Sequence, residues 1–252
     1  MPLENQKNYW SGQFNTHYQL TSRQKFTLSV GRYHQYTLPQ ADEKAVFYQS
    51  QQLALDYQYQ SSRYQVDAAL FAKDTQSGAQ TNRVYGAEVA LQAQWTKKLS
   101  TQASYTYLNA IVQEDGRQYA SPYNLRYFVR ANATYKITPR WTLNAMVLHR
   151  QGTYFLPVIN QKWRSSLQVY EPTYAPWEDA RRLPNYSTLD LSISHLWPIS
   201  ERWLIIAFAS VNNGLNHQNV RAVNYRPDYQ SSFYELFSQR TMYFGVVLQF
   251  QQ

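Results

Sequence analysis

Trp10-Ser-Gly-Gln-Phe-Asn-Thr-His-Tyr-Gln-Leu20 is the stretch from which the fold can be read. Its even positions are Trp10, Gly12, Phe14, Thr16, Tyr18 and Leu20, and its odd positions are Ser11, Gln13, Asn15, His17 and Gln19. A period of two places the apolar side chains on one face of an extended strand, whereas an amphipathic helix would repeat them about every 3.6 residues. The polar segment 21–24 leads into Phe26, Leu28 and Val30, alternating with Lys25, Thr27, Ser29 and Gly31. Two strands joined as a hairpin are predicted.

The same alternation recurs around 53–59, 64–70, 87–95, 103–107, 127–135, 141–147, 189–193 and 242–250, while 203–211 is apolar on both faces. This makes about 11 strands of roughly 10 to 12 residues. Short connections (21–24, 61–63, 96–98, 137–140, 198–201) take turns with long ones (37–50, 73–84, 111–123, 151–185, 214–239). Tilted strands of this length span the apolar layer of a bilayer, and short turns at one end with long loops at the other are the pattern of an antiparallel transmembrane β-barrel. A soluble β-sandwich would not sort its connections in this way. Trp95, Tyr135, Trp141, Trp197, Trp203 and Phe250 fall on the apolar face beside the short turns, where an aromatic girdle at headgroup level belongs. With an odd strand count the first and last strands run the same way, so they cannot close antiparallel. The expected architecture is the C-terminal half of a barrel of roughly 22 strands, a single partial domain over 1–252.

The composition agrees and excludes other classes. Among 252 residues, 44% are hydrophobic and only 16% charged, with 23 Tyr and no Cys, which is neither a disordered nor a disulfide-stapled chain. The longest apolar run, 203–209, falls far short of the roughly 18 to 20 residues of a membrane helix. The net charge is +8, but its bases are scattered, with no run longer than a pair such as Lys97-Lys98. A nucleic-acid stripe is not expected. Residues 1–7 carry no apolar export segment.

No catalytic constellation stands out. Of His17, His34, His149, His195 and His217, only His34 and His149 fall near long-loop strand ends, where Asp42 or Asp179 could approach them; no G-x-S-x-G elbow accompanies them. Without Cys or a set of His, Asp and Glu at ligand spacing, neither a metal nor any other cofactor is expected. The segment 151–185 is long for a loop and carries Tyr154, Trp163, Arg164, Tyr170, Tyr174, Trp177, Arg181 and Arg182. Aromatic rings interspersed with Arg can stack on sugars or planar chelates and pair with carboxylates, so these eight are the candidate ligand residues.

Pro184-Asn-Tyr-Ser-Thr-Leu-Asp-Leu-Ser-Ile-Ser194 resembles a late-barrel strand of the TonB-dependent outer-membrane receptors. Ala209-Ser-Val-Asn-Asn-Gly-Leu-Asn-His-Gln-Asn-Val220 is similar to their penultimate strand and its exit, Val84-Tyr-Gly-Ala-Glu-Val-Ala-Leu91 with Ala103-Ser-Tyr-Thr-Tyr-Leu108 to a mid-barrel hairpin, and Tyr243-Phe-Gly-Val-Val-Leu-Gln-Phe250 to their terminal strand. The resemblance implies the outer membrane of a Gram-negative bacterium, contact with its lipid and lipopolysaccharide, and uptake of a scarce solute such as a siderophore, cobalamin or oligosaccharide. It implies an N-terminal barrel half and a plug domain as the missing partners, with the TonB complex acting through that plug. On this analogy the polar-face residues Asp56, Asp67, Glu88 and Arg130 line the lumen and face the plug, and the chain by itself does not pump. The alternative is a stand-alone small barrel acting as a passive pore or a rim enzyme.

Overall fold

The computed structural model describes residues 9–36 and 46–250. Most of the first long connection, with Asp42, and residues 1–7 fall outside them. Eleven strands form one antiparallel path: β1 (Gly12–Thr21), β2 (Gln24–Tyr36), β3 (Phe47–Gln60), β4 (Tyr64–Ser77), β5 (Gln80–Gln94), β6 (Leu99–Glu114), β8 (Phe128–Lys136), β9 (Trp141–Arg150), β14 (Tyr186–Pro198), β15 (Trp203–Asn212) and β18 (Thr241–Phe250). The short β7 (Arg117–Ala120) folds back on β6. The other strands belong to the long connections: β10 (Tyr154–Phe155) with β13 (Arg181–Arg182), β11 (Val158–Arg164) with β12 (Val169–Tyr174), and β16 (Val220–Tyr225) with β17 (Ser232–Leu236). The 3-10 turn η1 (Trp177–Asp179) completes them.

Cross-strand register keeps the two faces distinct over the whole sheet. One row runs Leu28, Leu55, Leu70, Ala87, Tyr107, and another Ala103, Ala131, Val147, Leu189. On the opposite face the row is Thr27, Asp56, Ala69, Glu88, Thr106. The apolar face is bare: Leu53, Leu55, Leu70, Val89, Tyr105, Met242 and Phe244 are all exposed, Phe244 to 90%. The buried apolar residues are only Ala93, Ala110, Val112, Ala175, Leu183 and Val220, among the described residues. Among the described residues no second sheet covers the apolar face, which argues against the sandwich, and an apolar surface this extensive needs a non-aqueous neighbour. The girdle residues Trp95, Tyr135, Trp141, Trp197, Trp203 and Phe250 are all exposed on this face, at its short-turn end.

Two of the expected loops are strand. The β4–β5 ladder stays in register from Tyr64↔Ala93 to Ser77↔Gln80 and closes around Gly78, whose φ of 60° suits the tight turn. Segment 73–84 is therefore hairpin, and 111–123 is largely the β6–β7 hairpin closed by Asp115 and Gly116 at φ 50° and 76°. Both central residues in the left-handed region define the tight primed turn that favours Asp-Gly. These strands reach 14 to 16 residues, longer than expected, because beyond the apolar band both faces meet water. The alternation ends there while the hydrogen-bond ladder continues.

The five short turns share one construction. Thr21, Ser61, Thr96, Thr138 and Ser200 each accept, on the side-chain oxygen, the backbone N–H of the residue two places on, at 3.1 to 3.4 Å. That residue is always basic: Arg23, Arg63, Lys98, Arg140 or Arg202. In four turns the same oxygen also accepts from the next residue, Tyr64, Leu99, Trp141 or Trp203. A hydroxyl that satisfies two turn amides replaces the ladder bonds lost where the chain reverses.

Candidate functional site

The polar face carries the lumen candidates. Lys25, Asp56, Asp67, Glu88 and Ser104, from five successive strands, line one cavity of about 460 Å³. Three of the four lumen candidates thus come together. Asp67 accepts from Gln58 at 3.0 Å and Gln65 at 2.8 Å, and Glu88 accepts from Thr106 at 3.3 Å. Arg130 sits one strand beyond, opposite Ser104.

At the long-connection end, segment 151–185 is an ordered assembly, and its ring and guanidinium groups divide between two tasks. Arg182 lies 3.9 Å over the Tyr154 ring and donates from Nη1 to the carbonyls of Asn124 (3.0 Å) and Gly152 (2.9 Å). A guanidinium so engaged fastens the loop to the strand ends. Trp163 packs edge-on against Tyr170 at 5.0 Å, and Arg164 pairs with Glu171 at 3.1 Å across the β11–β12 hairpin. Tyr174, at the end of that hairpin, is exposed. Trp177 and Arg181 instead face open space. Trp177 lines a cavity of about 420 Å³ whose walls also include Val84, Leu108, Val112, Tyr119 and Tyr123. Arg181 lines a second, of about 230 Å³, with Phe155, Tyr225 and Phe233.

Tyr119 and Tyr123 fall within the expected loop 111–123, and the Asp115-Gly116 turn is the sequence signal that places Tyr119 on a hairpin strand. Tyr119 donates to Glu114 Oε2 at 2.9 Å, and burial first, then this bond, hold its phenol above the ordinary range. Two asparagines also went unnoticed. Asn219 accepts from Ser187 N at 2.7 Å and donates to Ser187 O at 2.8 Å, so its amide stands in for a neighbouring strand. Asn124 donates to Ala110 O at 3.0 Å and to Asn109 at 3.1 Å. The histidines near the mouth are taken up by ring stacks, His34 with Tyr9 and Phe47 and His149 with Tyr127. No group of three or more His, Asp or Glu able to hold a metal lies among the described residues.

An antiparallel wall with one apolar and one polar face, short turns at one end and folded loops at the other, has the form of an outer-membrane-type β-barrel wall. Solved structures that share this fold include import receptors and a transporter. The ferric yersiniabactin uptake receptor FyuA of Yersinia pestis matches over 95% of this chain and 37% of its own, with 18% identity and a TM-score of 0.68. The ferric-catecholate import receptor Fiu of E. coli K12 matches over 95% and 34%, with 14% identity and a TM-score of 0.66, and the copper transporter OprC over 94% and 39%, with 14% identity and 0.64. The chain spans about a third of the length of Fiu and FyuA. The sequence resemblance to TonB-dependent receptors is thereby met at the level of fold. No protein-family model matches the chain, and no curated protein is significantly similar to it in sequence.

Proposed function

We propose that the chain is the C-terminal wall of a TonB-dependent receptor barrel in the outer membrane of a Gram-negative bacterium, taking up a scarce solute of the metal-chelate class. The observation that carries this reading is the bare, predominantly apolar face that extends across the eleven-strand path, opposite a polar face. Lipid seals the first; a plug domain fills the second, against Asp56, Asp67, Glu88 and Arg130. The short turns then lie in the periplasm, and the mouth residues Tyr119, Tyr123, Trp177 and Arg181 meet solute outside. Energised uptake then belongs to the barrel assembled with its plug.

The test joins this chain to a plug-bearing first half, such as that of FyuA, in a Gram-negative host stripped of its own iron-chelate receptors. Growth on a ferric chelate that requires TonB is the expected outcome. The alternative of a stand-alone pore predicts that the chain alone, exported, makes the host permeable to large antibiotics without any need for TonB. That result would displace the receptor reading.

A further inference from the structure

The charge of the chain is divided by its long axis. All four ion pairs among the described residues lie at the long-connection end: Arg83–Asp74, Arg117–Glu178, Arg164–Glu171 and Arg221–Glu235, at 3.0 to 3.3 Å. At the opposite end, the five short turns and their flanks carry Arg23, Lys25, Arg63, Lys97, Lys98, Lys136, Arg140 and Arg202 against a single acid, Glu201. The turn bases Arg23, Arg63, Lys97, Lys98, Arg140 and Arg202 are exposed, and none forms an ion pair among the described residues.

The backbone fixes the position of these bases. The amide of Arg23, Arg63, Lys98, Arg140 and Arg202 is held by the turn hydroxyl two residues before it. The carbonyls of Arg23, Arg63, Lys98 and Arg140 each accept a strand amide from the next hairpin, from Gln60, Gln94, Lys136 and Leu196, at 2.8 to 3.0 Å. The bases therefore form a row along the rim, one per hairpin and about 10 Å apart, twice the strand spacing. The residue after the base is Tyr64, Leu99, Trp141 or Trp203 in four turns, each on the apolar face by register. Interfacial aromatic rings mark the headgroup level of a bilayer, so the basic row stands where lipid phosphates stand.

We infer that this rim is a docking surface for anionic phospholipid headgroups of the inner, periplasm-facing leaflet, one basic turn position meeting one phosphate. The inference rests on the barrel reading above. Unpaired bases attract an anionic surface by about five-fold in affinity each, and salt weakens the attraction. A soluble acidic partner would have no use for the apolar-face residues Tyr64, Leu99, Trp141 and Trp203 that follow four of the five bases, whereas a lipid engages both.

The test uses tryptophan quenching by acyl-brominated lipids doped into neutral detergent micelles holding the full chain, since Trp95, Trp141, Trp197 and Trp203 sit at the rim. Brominated phosphatidylglycerol is expected to quench at several-fold lower mole fraction than brominated phosphatidylcholine, and high salt to erase the difference. In the combined variant R23Q/R63Q/K98Q/R140Q/R202Q the two lipids should quench alike, with β-sheet circular dichroism and phosphatidylcholine quenching unchanged as evidence of folding. The variant R83Q/R117Q/R164Q/R221Q, at the other end, should keep the preference. Equal quenching of the native chain by both lipids, or equal loss in both variants, overturns the docking surface while leaving the barrel intact. Absence of quenching by either lipid overturns the barrel reading itself, and this one with it.

Discussion

Single side chains hold the mouth of this wall. Asn219 is nearly fully buried and pairs with both backbone groups of Ser187, beyond the end of the β14–β15 ladder, which begins at Leu191↔Val211. Asn219→Ala orphans that donor and acceptor at a cost of about 1 to 3 kcal/mol; exchange of the Ser187 amide should quicken by roughly one to two orders of magnitude while amides in the middle of β14 stay protected. Tyr119 gives a pH signature. Its folded-state pKa lies above the ordinary tyrosine value because burial and Glu114 disfavour the phenolate, so its contribution to stability is complete below the unfolded value near pH 10 and is lost as pH rises through the raised one. The difference in phenolate absorbance between the native chain and Tyr119→Phe should titrate above the ordinary Tyr range, and Glu114→Gln should move it down. These roles were hidden in the sequence for a physical reason: an amide or phenol acts through whatever the fold brings beside it, and nothing in the segment 209–220 names Ser187. Arg182 illustrates the same limit, since its composition suggested a ligand contact whereas its partners are the backbone carbonyls of Asn124 and Gly152.

At the scale of elements, the period-two pattern located every main strand, because inside the apolar band each face has a fixed environment and the sequence must declare it. Strand ends were less legible: outside the band, Thr75, Gln76, Thr81 and Asn82 serve a ladder equally well on either face. The shared turn construction was legible and missed, as hydroxyl-x-base recurs in Thr21-Ser-Arg23, Ser61-Ser-Arg63, Thr96-Lys-Lys98, Thr138-Pro-Arg140 and Ser200-Glu-Arg202. Packing inside the ladder supplies the element-scale prediction. On the polar face the ring of Phe71 covers Gly86, and a Cβ added there would lie 2.6 Å from that ring and strike the Tyr107 carbonyl. The aromatic ring occupies the space the glycine leaves and shields its backbone. Gly86→Ala should therefore destabilise the β4–β5–β6 region by about 1 to 3 kcal/mol, measured by urea unfolding in micelles. The double change with Phe71→Leu should recover part of the loss, because the remaining clash with backbone cannot move aside.

For the whole molecule, the direction of the strands constrains what can complete the barrel. Every neighbouring pair along the eleven-strand path is antiparallel, so β1 and β18 run the same way, from the long-connection end to the short-turn end. β1 is exposed along its full length, and β18 pairs only with β15 among the described residues. Joining β1 to β18 within one chain gives a parallel seam, and so does joining β1 of one copy to β18 of a second, however the two are arranged about the barrel axis. Antiparallel closure needs an intervening set of strands that begins and ends in the opposite direction, hence an odd number of them, and single-chain bacterial barrels hold even totals. Such long unpaired edges also invite non-specific association, so the measurement must report position. Under mild oxidation in micelles, the pair Thr16→Cys and Leu28→Cys, direct neighbours across β1 and β2, should cross-link within one chain. The pair Thr16→Cys and Val246→Cys, midway along the two edges, should give neither an internal bridge nor a disulfide-linked dimer. A bridge of either kind at the second pair would mean that the wall closes on itself or on its own copy, and the odd-stranded complement would then be unnecessary.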